Sequence, residues 1–212
     1  MNQYVISISR EFGSGGRLIG KCLAEKLGIP CYDRTIIQKA AEKSGLSPDF
    51  IARAEEHAHS RFHLPFTPVG MNAPAFAGQC IPVGHQAFFA QAEVIRELAD
   101  QGPCVIVGRC SDYILSDRKD CLKVFIHADL ACRVKHCVEN YDLPAEDMDR
   151  RIAQVDRGRA NYYNFYTGHD WGDVRRYDLT IDSSAIGIEN SADLIISLLR
   201  IRQQLDGAGT CK

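Results

Sequence analysis

The sequence predicts an α/β fold in three layers, a parallel sheet of about five strands with helices on both faces. Three observations lead there. Short apolar runs rich in β-branched residues alternate with helical patterns along the chain. Those runs read as strands covered on both sides, which calls for parallel pairing. A glycine cluster, Gly13-Ser14-Gly15-Gly16, follows the first run at once and opens the first helix.

Residues 4–9, YVISIS, form the first strand in this reading. In RLIGKCLAEKL, residues 17–27, Leu18, Cys22, Leu23 and Leu27 recur at helical spacing, and Gly28 with Pro30 stops the helix. Residues 30–33 make a short strand and 34–44 a second helix. Ser47-Pro48-Asp49 carries the N-cap and first-turn proline of a third. From residue 57 to 84 the pattern breaks into four prolines and three glycines, longer than an ordinary connection, so a flap or insert is expected. A helix over 86–100 precedes two buried strands, 104–108 and 122–127. Helices over 129–141 and 144–159, a last strand at 177–182 and a closing amphipathic helix at 189–205 complete the alternation.

Composition narrows the function classes. Across 212 residues, 25 Lys plus Arg against 27 Asp plus Glu leave a net charge of −2 at 45% hydrophobic content, ordinary values for one domain over 1–212. No basic stretch is available to neutralise a phosphate backbone, so a small-molecule partner is expected and a nucleic acid is not. The nine cysteines are odd in number and never spaced C-x-x-C. Several sit in apolar runs, such as Cys104 in PCVIVG, where a thiol acts as a small hydrophobe; a reducing, cytoplasmic location is expected. No apolar stretch approaches the roughly 18 residues of a membrane span, and the N-terminal residues lack the pattern of an export leader.

The glycine cluster has the chemistry of a phosphate cradle. Gly13, Gly15 and Gly16 let the backbone turn with positive φ and approach an anion closely, and the helix that follows offers unpaired N–H groups at its positive end. Residues 15–21 also spell G-x-x-x-x-G-K, but that register would put Lys21 more than a turn inside the helix. The preferred register puts Gly16 where a phosphate-binding lysine usually stands and Arg17 where a hydroxyl follows. Arg17 is then the nearest cation for a β- or γ-phosphate, with Lys21 and Lys26 as alternatives.

Other residues collect at strand ends. Arg109 follows the strand at 104–108, where α/β sheets bind ligands, and Asp33 closes the second strand in the same way. A surface ion pair for Arg109 and a helix N-cap for Asp33 are the competing readings. Residues 150–177 mix arginines with four tyrosines and the only tryptophan. Arg151, Arg157 and Arg159 there could neutralise a transferring phosphoryl group, stack with aromatics on a nucleic acid, or simply pair with Asp147, Asp149 and Asp156. His57, His59 and His63 lack the spacing of a zinc site, and no metal site is predicted.

Taken together, REFGSGGR, LAEKLGIPCYD, FFAQAEVIRELA, VIVGRCSDYIL, KVFIHADL, RANYYNFYTGHDWGD and YDLTIDSSAIGIE resemble the P-loop nucleoside monophosphate kinases, and within them the cytidylate kinase-like branch. The resemblance implies a P-loop NTPase fold, an ATP-phosphate loop at 13–17, an acceptor-side flap at about 47–84 and an arginine-bearing lid at about 150–177. It implies ATP-dependent phosphoryl transfer, with Mg²⁺, to a nucleoside monophosphate, CMP or dCMP by default. Gly13, Ser14, Gly15, Gly16 and Arg17 would hold ATP; Asp33, Arg109 and Asp112 would bind the acceptor; Arg17, Arg157 and Arg159 would act on the transferring group. The family's Gly-Arg-Asp is matched by Gly108 and Arg109, with Cys110 in place of the aspartate, and Asp156 with Arg159 resembles its Asp-x-x-Arg. The Tyr-Arg pair of true cytidylate kinases is replaced by Gln38 and Lys39. A non-catalytic nucleotide-binding protein and a kinase of another small acceptor are the alternatives.

Overall fold

The computed structural model describes residues 3–56, 83–141, 144 and 146–207. In chain order these form β1 (Val5–Arg10), α1 (Gly16–Leu27), β2 (Cys31–Tyr32), α2 (Thr35–Ser44), α3 (Pro48–Glu56), α4 (Val83–Asp100), β3 (Cys104–Val107), α5 (Ser111–Ile114), β4 (Cys121–His127) and α6 (Leu130–Tyr141). There follow α7 (Met148–Thr167), a 3₁₀ turn (Val174–Arg176), β5 (Leu179–Asp182) and α8 (Ser183–Gly207). Of the expected insert at 57–84, residues 57–82 lie outside the described residues, and 83–84 already belong to α4.

All strand pairs are parallel, in the order β2-β3-β1-β4-β5. Alternate residues serve opposite faces, and both faces are buried. Ile6, Ile8, Val105 and Val107 face Ile19 and Leu23 of α1 and Ala192, Ile195 and Leu199 of α8. Val5, Cys104 and Ile106 face α2, α3, α4 and α7 through Ile36, Ala40, Ile51, Ile95, Leu98 and Tyr162. The three-layer α/β expectation is met. Leaving β1 toward α1 while β3 and β4 flank it places the glycine cluster at the switch point of the sheet.

Three details differ from the sequence reading. The buried stripe of α1 runs through Ile19 and Leu23 rather than Leu18 and Cys22, which are half-buried. Gly20 turns the helix that way, because a Cβ there would come 2.9 Å from Val107 Cγ2. Helix α7 continues past residue 159 to Thr167, held by buried Tyr162 and Tyr163 and ended by left-handed Gly168 (φ 69°). Helix α8 starts at Ser183, with a non-helical break at Gly187, so the predicted start at 189 marks only its second segment.

The described cysteines are all free thiols, and burial pushes Cys104 and Cys121 up to about 12. Among the described residues no helix is long and apolar enough to cross a membrane.

Candidate active site

The loop between β1 and α1 is built by its glycines. Gly13 and Gly15 have φ of 81° and 75°, and Gly15 caps α1. A Cβ on Gly13 would lie 2.7 Å from the Arg133 carbonyl oxygen, and one on Gly15 would overlap Ile188 Cδ1. Ser14 braces the loop: its hydroxyl donates to the carbonyls of Glu11 (3.0 Å) and Ile126 (3.2 Å), and its own carbonyl accepts from Ser183 Oγ (2.6 Å). The first-turn amides of Gly16, Arg17 and Leu18 have no carbonyl one turn back inside α1, which leaves donors at the positive helix end.

The front of the loop is gripped from α6 and α7. Asp156 accepts the Phe12 N–H at 2.8 Å, and Arg133 Nε donates to the Phe12 carbonyl at 2.7 Å. Arg133, 7% exposed, also pairs with Asp156 and, at 3.2 Å, with Glu11, whose Oε2 accepts the Ala128 N–H. Arg159 donates to the Arg10 carbonyl at 2.9 Å and lies 5.5 Å from the Phe12 ring centre. Sequence reasoning missed Arg133 and Glu11. The available signal was a lone arginine four residues before Cys137 on a helix face that has to be buried, where a cation needs a carboxylate.

Asp33, at the end of β2, gathers arginines. Arg17 Nε lies 3.0 Å from its Oδ2, and Arg109 Nη2 lies 4.0 Å from its Oδ1. Burial first, then the neighbouring Arg10 charge, brings the Arg109 guanidinium down to about 10, with Asp33 opposing and Arg34 adding to the repulsion. Gly108, Arg109 and Cys110 take successive φ values of 79°, 63° and 54°. Two consecutive non-glycine residues in the left-handed region carry strain of about 1–3 kcal/mol each, and that turn sends the Arg109 side chain back toward Asp33. Cys110 is buried at the cap of α5, where burial raises its thiol.

The other expected residues are placed differently. Asp112 is 3% exposed and does not face the arginines as a free carboxylate; it accepts from Tyr163 Oη at 2.6 Å and Ser9 Oγ at 3.3 Å, tying α5 to α7 and β1. Burial raises its carboxyl despite those donors. Arg157, about 100° around α7 from Asp156, is exposed. Lys26 pairs with Asp193 at 2.5 Å near the C-terminal end of α1, and Lys21 is exposed, so neither alternative lies at the cradle. Gln91 of α4, 1% exposed, is the remaining polar group here. Its amide is near enough to the Tyr162 hydroxyl to influence its proton, yet neither Nε2 nor Oε1 closes a hydrogen bond among the described residues.

For Mg²⁺ the fit is poor. Arg17 stands at the usual hydroxyl position, and Asp33 and Glu11 are held in ion pairs. Among the described residues no three His, Cys, Asp or Glu side chains group as metal ligands. For a nucleotide's phosphates the fit is good: a glycine cradle too tight for any Cβ, first-turn amides and adjacent arginines.

The profile of the cytidylate kinase-like family matches residues 5–185. Cytidylate kinases from Methanopyrus kandleri and Desulfurococcus amylolyticus are 26% identical over 97 residues and 29% identical over 110. These alignments cover 42% and 50% of this chain, and the chain spans about half the length of these relatives, 50% and 56%. An uncharacterized protein from Eubacterium ventriosum superposes with a TM-score of 0.70 at 27% identity, covering 93% of this chain and 99% of that one. The shikimate kinase of Acinetobacter baumannii in complex with shikimate shares the fold at a TM-score of 0.54 and 15% identity, covering 95% of each chain. With a family match over residues 5–185, most of its length, this chain belongs to the cytidylate kinase-like family.

Proposed function

We propose that the protein transfers a phosphoryl group from ATP to a nucleoside monophosphate, with CMP and dCMP as the first acceptors to test. The observation that carries this reading is the gathering of Arg17 and Arg109 at Asp33, with the Arg10 guanidinium against Gly108, next to a glycine cradle and the amides that open α1. Guanidinium groups beside the amides of a helix N-terminus are the donors that phosphate oxygens accept from.

ATP supplies the phosphoryl group when bound. The amides of the first turn of α1 would hold its phosphates, and Arg17 would span from them to Asp33. Arg109 would fix the acceptor phosphate with its planar fork. A phosphate acceptor needs no strong base, so these residues contribute positioning and charge neutralisation. A divalent cation accompanying the nucleotide would take its ligands from phosphate oxygens and water. None of the roles assigned to the chain's residues passes through it.

The test is ADP release with ATP and Mg²⁺ across CMP, dCMP, UMP, AMP, GMP and dTMP, with a no-acceptor control. Acceptor-dependent turnover, strongest with CMP or dCMP, is expected. ATP binding without turnover for any acceptor would favour a non-catalytic nucleotide-binding protein, the reading that glycine at position 16 supports.

Gln91 sharpens the acceptor side. A buried amide whose only near polar neighbour among the described residues is the Tyr162 hydroxyl is under-satisfied, which costs about 1–3 kcal/mol, and a ligand's hydrogen-bonding edge would recover it. Gln91→Leu is therefore expected to raise the thermal midpoint by a few degrees and the acceptor KM at least tenfold, with ATP affinity unchanged. Calorimetry and steady-state kinetics check both, and an unchanged acceptor KM would remove Gln91 from the site.

A further inference from the structure

We infer that Arg10 supplies the cation this loop lacks at position 16, by an exchange of residues between the two ends of the glycine loop; the inference rests on the phosphate-transfer reading above. In the spacing G-x-x-x-x-G-K that ends at Gly15-Gly16, the first glycine falls on residue 10 and the lysine on residue 16. This chain has arginine at the first and glycine at the second.

The two residues are also interlocked in space. A Cβ on Gly16 would lie 2.6 Å from Arg10 Cβ and 2.9 Å from its Cγ, so the arginine stem crosses the first residue of α1. A Cβ on Gly108 would overlap Arg10 Nη1 and lie 2.8 Å from Cζ, so the guanidinium lies against the end of β3, immediately before Arg109. Side chains at either glycine would exclude this path. The Arg10 backbone is fixed as well: it pairs in register with Ile126 of β4, and its carbonyl accepts from Arg159.

That path runs from the donor cradle to the acceptor arginine. The charge on Arg10 is felt strongly enough at Arg109 to lower its guanidinium, second only to burial. Two adjacent guanidinium groups beside the positive end of a helix repel one another, and phosphate oxygens between them turn that repulsion into binding. A planar fork anchored on the sheet offers oxygens of two phosphates donors in a fixed plane, where a lysine reaching from α1 would serve the same oxygens as a point charge. Arg10 is therefore assigned as a phosphate-binding residue at the junction of donor and acceptor.

A reciprocal exchange tests this. Arg10→Met, Arg10→Gly, Gly16→Lys and the double variant Arg10→Gly/Gly16→Lys are compared for tripolyphosphate and ATP binding by calorimetry, for thermal midpoint, and for turnover. Arg10→Met keeps the stem and is expected to fold as the parent while binding tripolyphosphate at least tenfold more weakly. Gly16→Lys alone is expected to lose stability, because its Cβ meets the Arg10 stem. The double variant is expected to regain stability and to bind tripolyphosphate within a few-fold of the parent. Parental affinity in both Arg10 variants, or a well-folded double variant as weak as Arg10→Gly, would overturn the assignment while leaving the phosphate-transfer reading standing. A parent protein that binds neither tripolyphosphate nor ATP would overturn both.

Discussion

Arg109→Gly is expected to lower kcat/KM for the acceptor by about 10²–10⁴ while leaving the fold as stable as before, or more stable. The activity loss follows from removing two charge-assisted hydrogen bonds to a phosphate, roughly 1.5–3 kcal/mol each. The stability effect has the opposite sign from that of an ordinary arginine. At φ 63° this residue is strained, and its side chain, 9% exposed, lies beside the Arg10 charge and 4.0 Å from Asp33. Glycine adopts positive φ without strain, and this relief offsets the contacts given up by the side chain and about 0.4–1 kcal/mol of added chain entropy in the unfolded state. For a chain of this size the net is a change of only a few degrees in thermal midpoint. Calorimetry beside steady-state kinetics separates the readings, since a structural arginine would give a midpoint more than 5 °C lower with kcat/KM nearly intact. Arg109→Lys, which keeps the charge and loses the fork, should fall between parent and glycine in acceptor KM.

The sheet and the cradle were legible because their causes are local. Apolar β-branched runs announce buried strands, and Gly13 and Gly15 announce a turn of positive φ before a helix, whatever surrounds them. Elements set by tertiary contact were not. The extension of α7 to Thr167 depends on Tyr162 and Tyr163 packing into the cluster that α2, α3 and α4 share, and α5 is too short to show any period. Among the candidate site residues, the placement of Asp33 and Arg109 beside one another was legible in their positions at strand ends, the places where an open sheet binds ligands. Asp112, expected from the family resemblance alone, lies in α5, where Tyr163 and Ser9, distant in the chain, cover it. Arg10 reads as the polar end of a strand; its significance needs Gly16 and Gly108 brought beside it, contacts that no local pattern encodes.

Asp156→Ala is expected to act on the donor side and on stability together. In the family resemblance, Asp156 and Arg159 belong to a lid that closes over the transferring group; here both grip the glycine loop through its backbone. Removing Asp156 strips the Phe12 N–H of its acceptor and leaves Arg133 with Glu11 as its remaining carboxylate among the described residues. Breaking a buried pair on one side costs about 3–5 kcal/mol, and the surviving Glu11 contact puts this case near the lower end. The thermal midpoint should fall by on the order of 10 °C. The loop then loses the brace that keeps its amides aimed outward, so the KM for ATP and the affinity for tripolyphosphate should weaken at least tenfold. A lid residue would give another signature, reduced kcat with donor affinity unchanged, and that result would return Asp156 to the lid. The double variant Asp156→Leu/Arg133→Met separates stability from function. Removing both charges should recover much of the midpoint, because no buried cation is left facing one carboxylate too few. Donor affinity should stay low, because neither the Phe12 N–H nor its carbonyl regains a partner. Additive stability losses in the two single variants would mean that the pair is uncoupled and that the loop is held by its glycines and Ser14 alone.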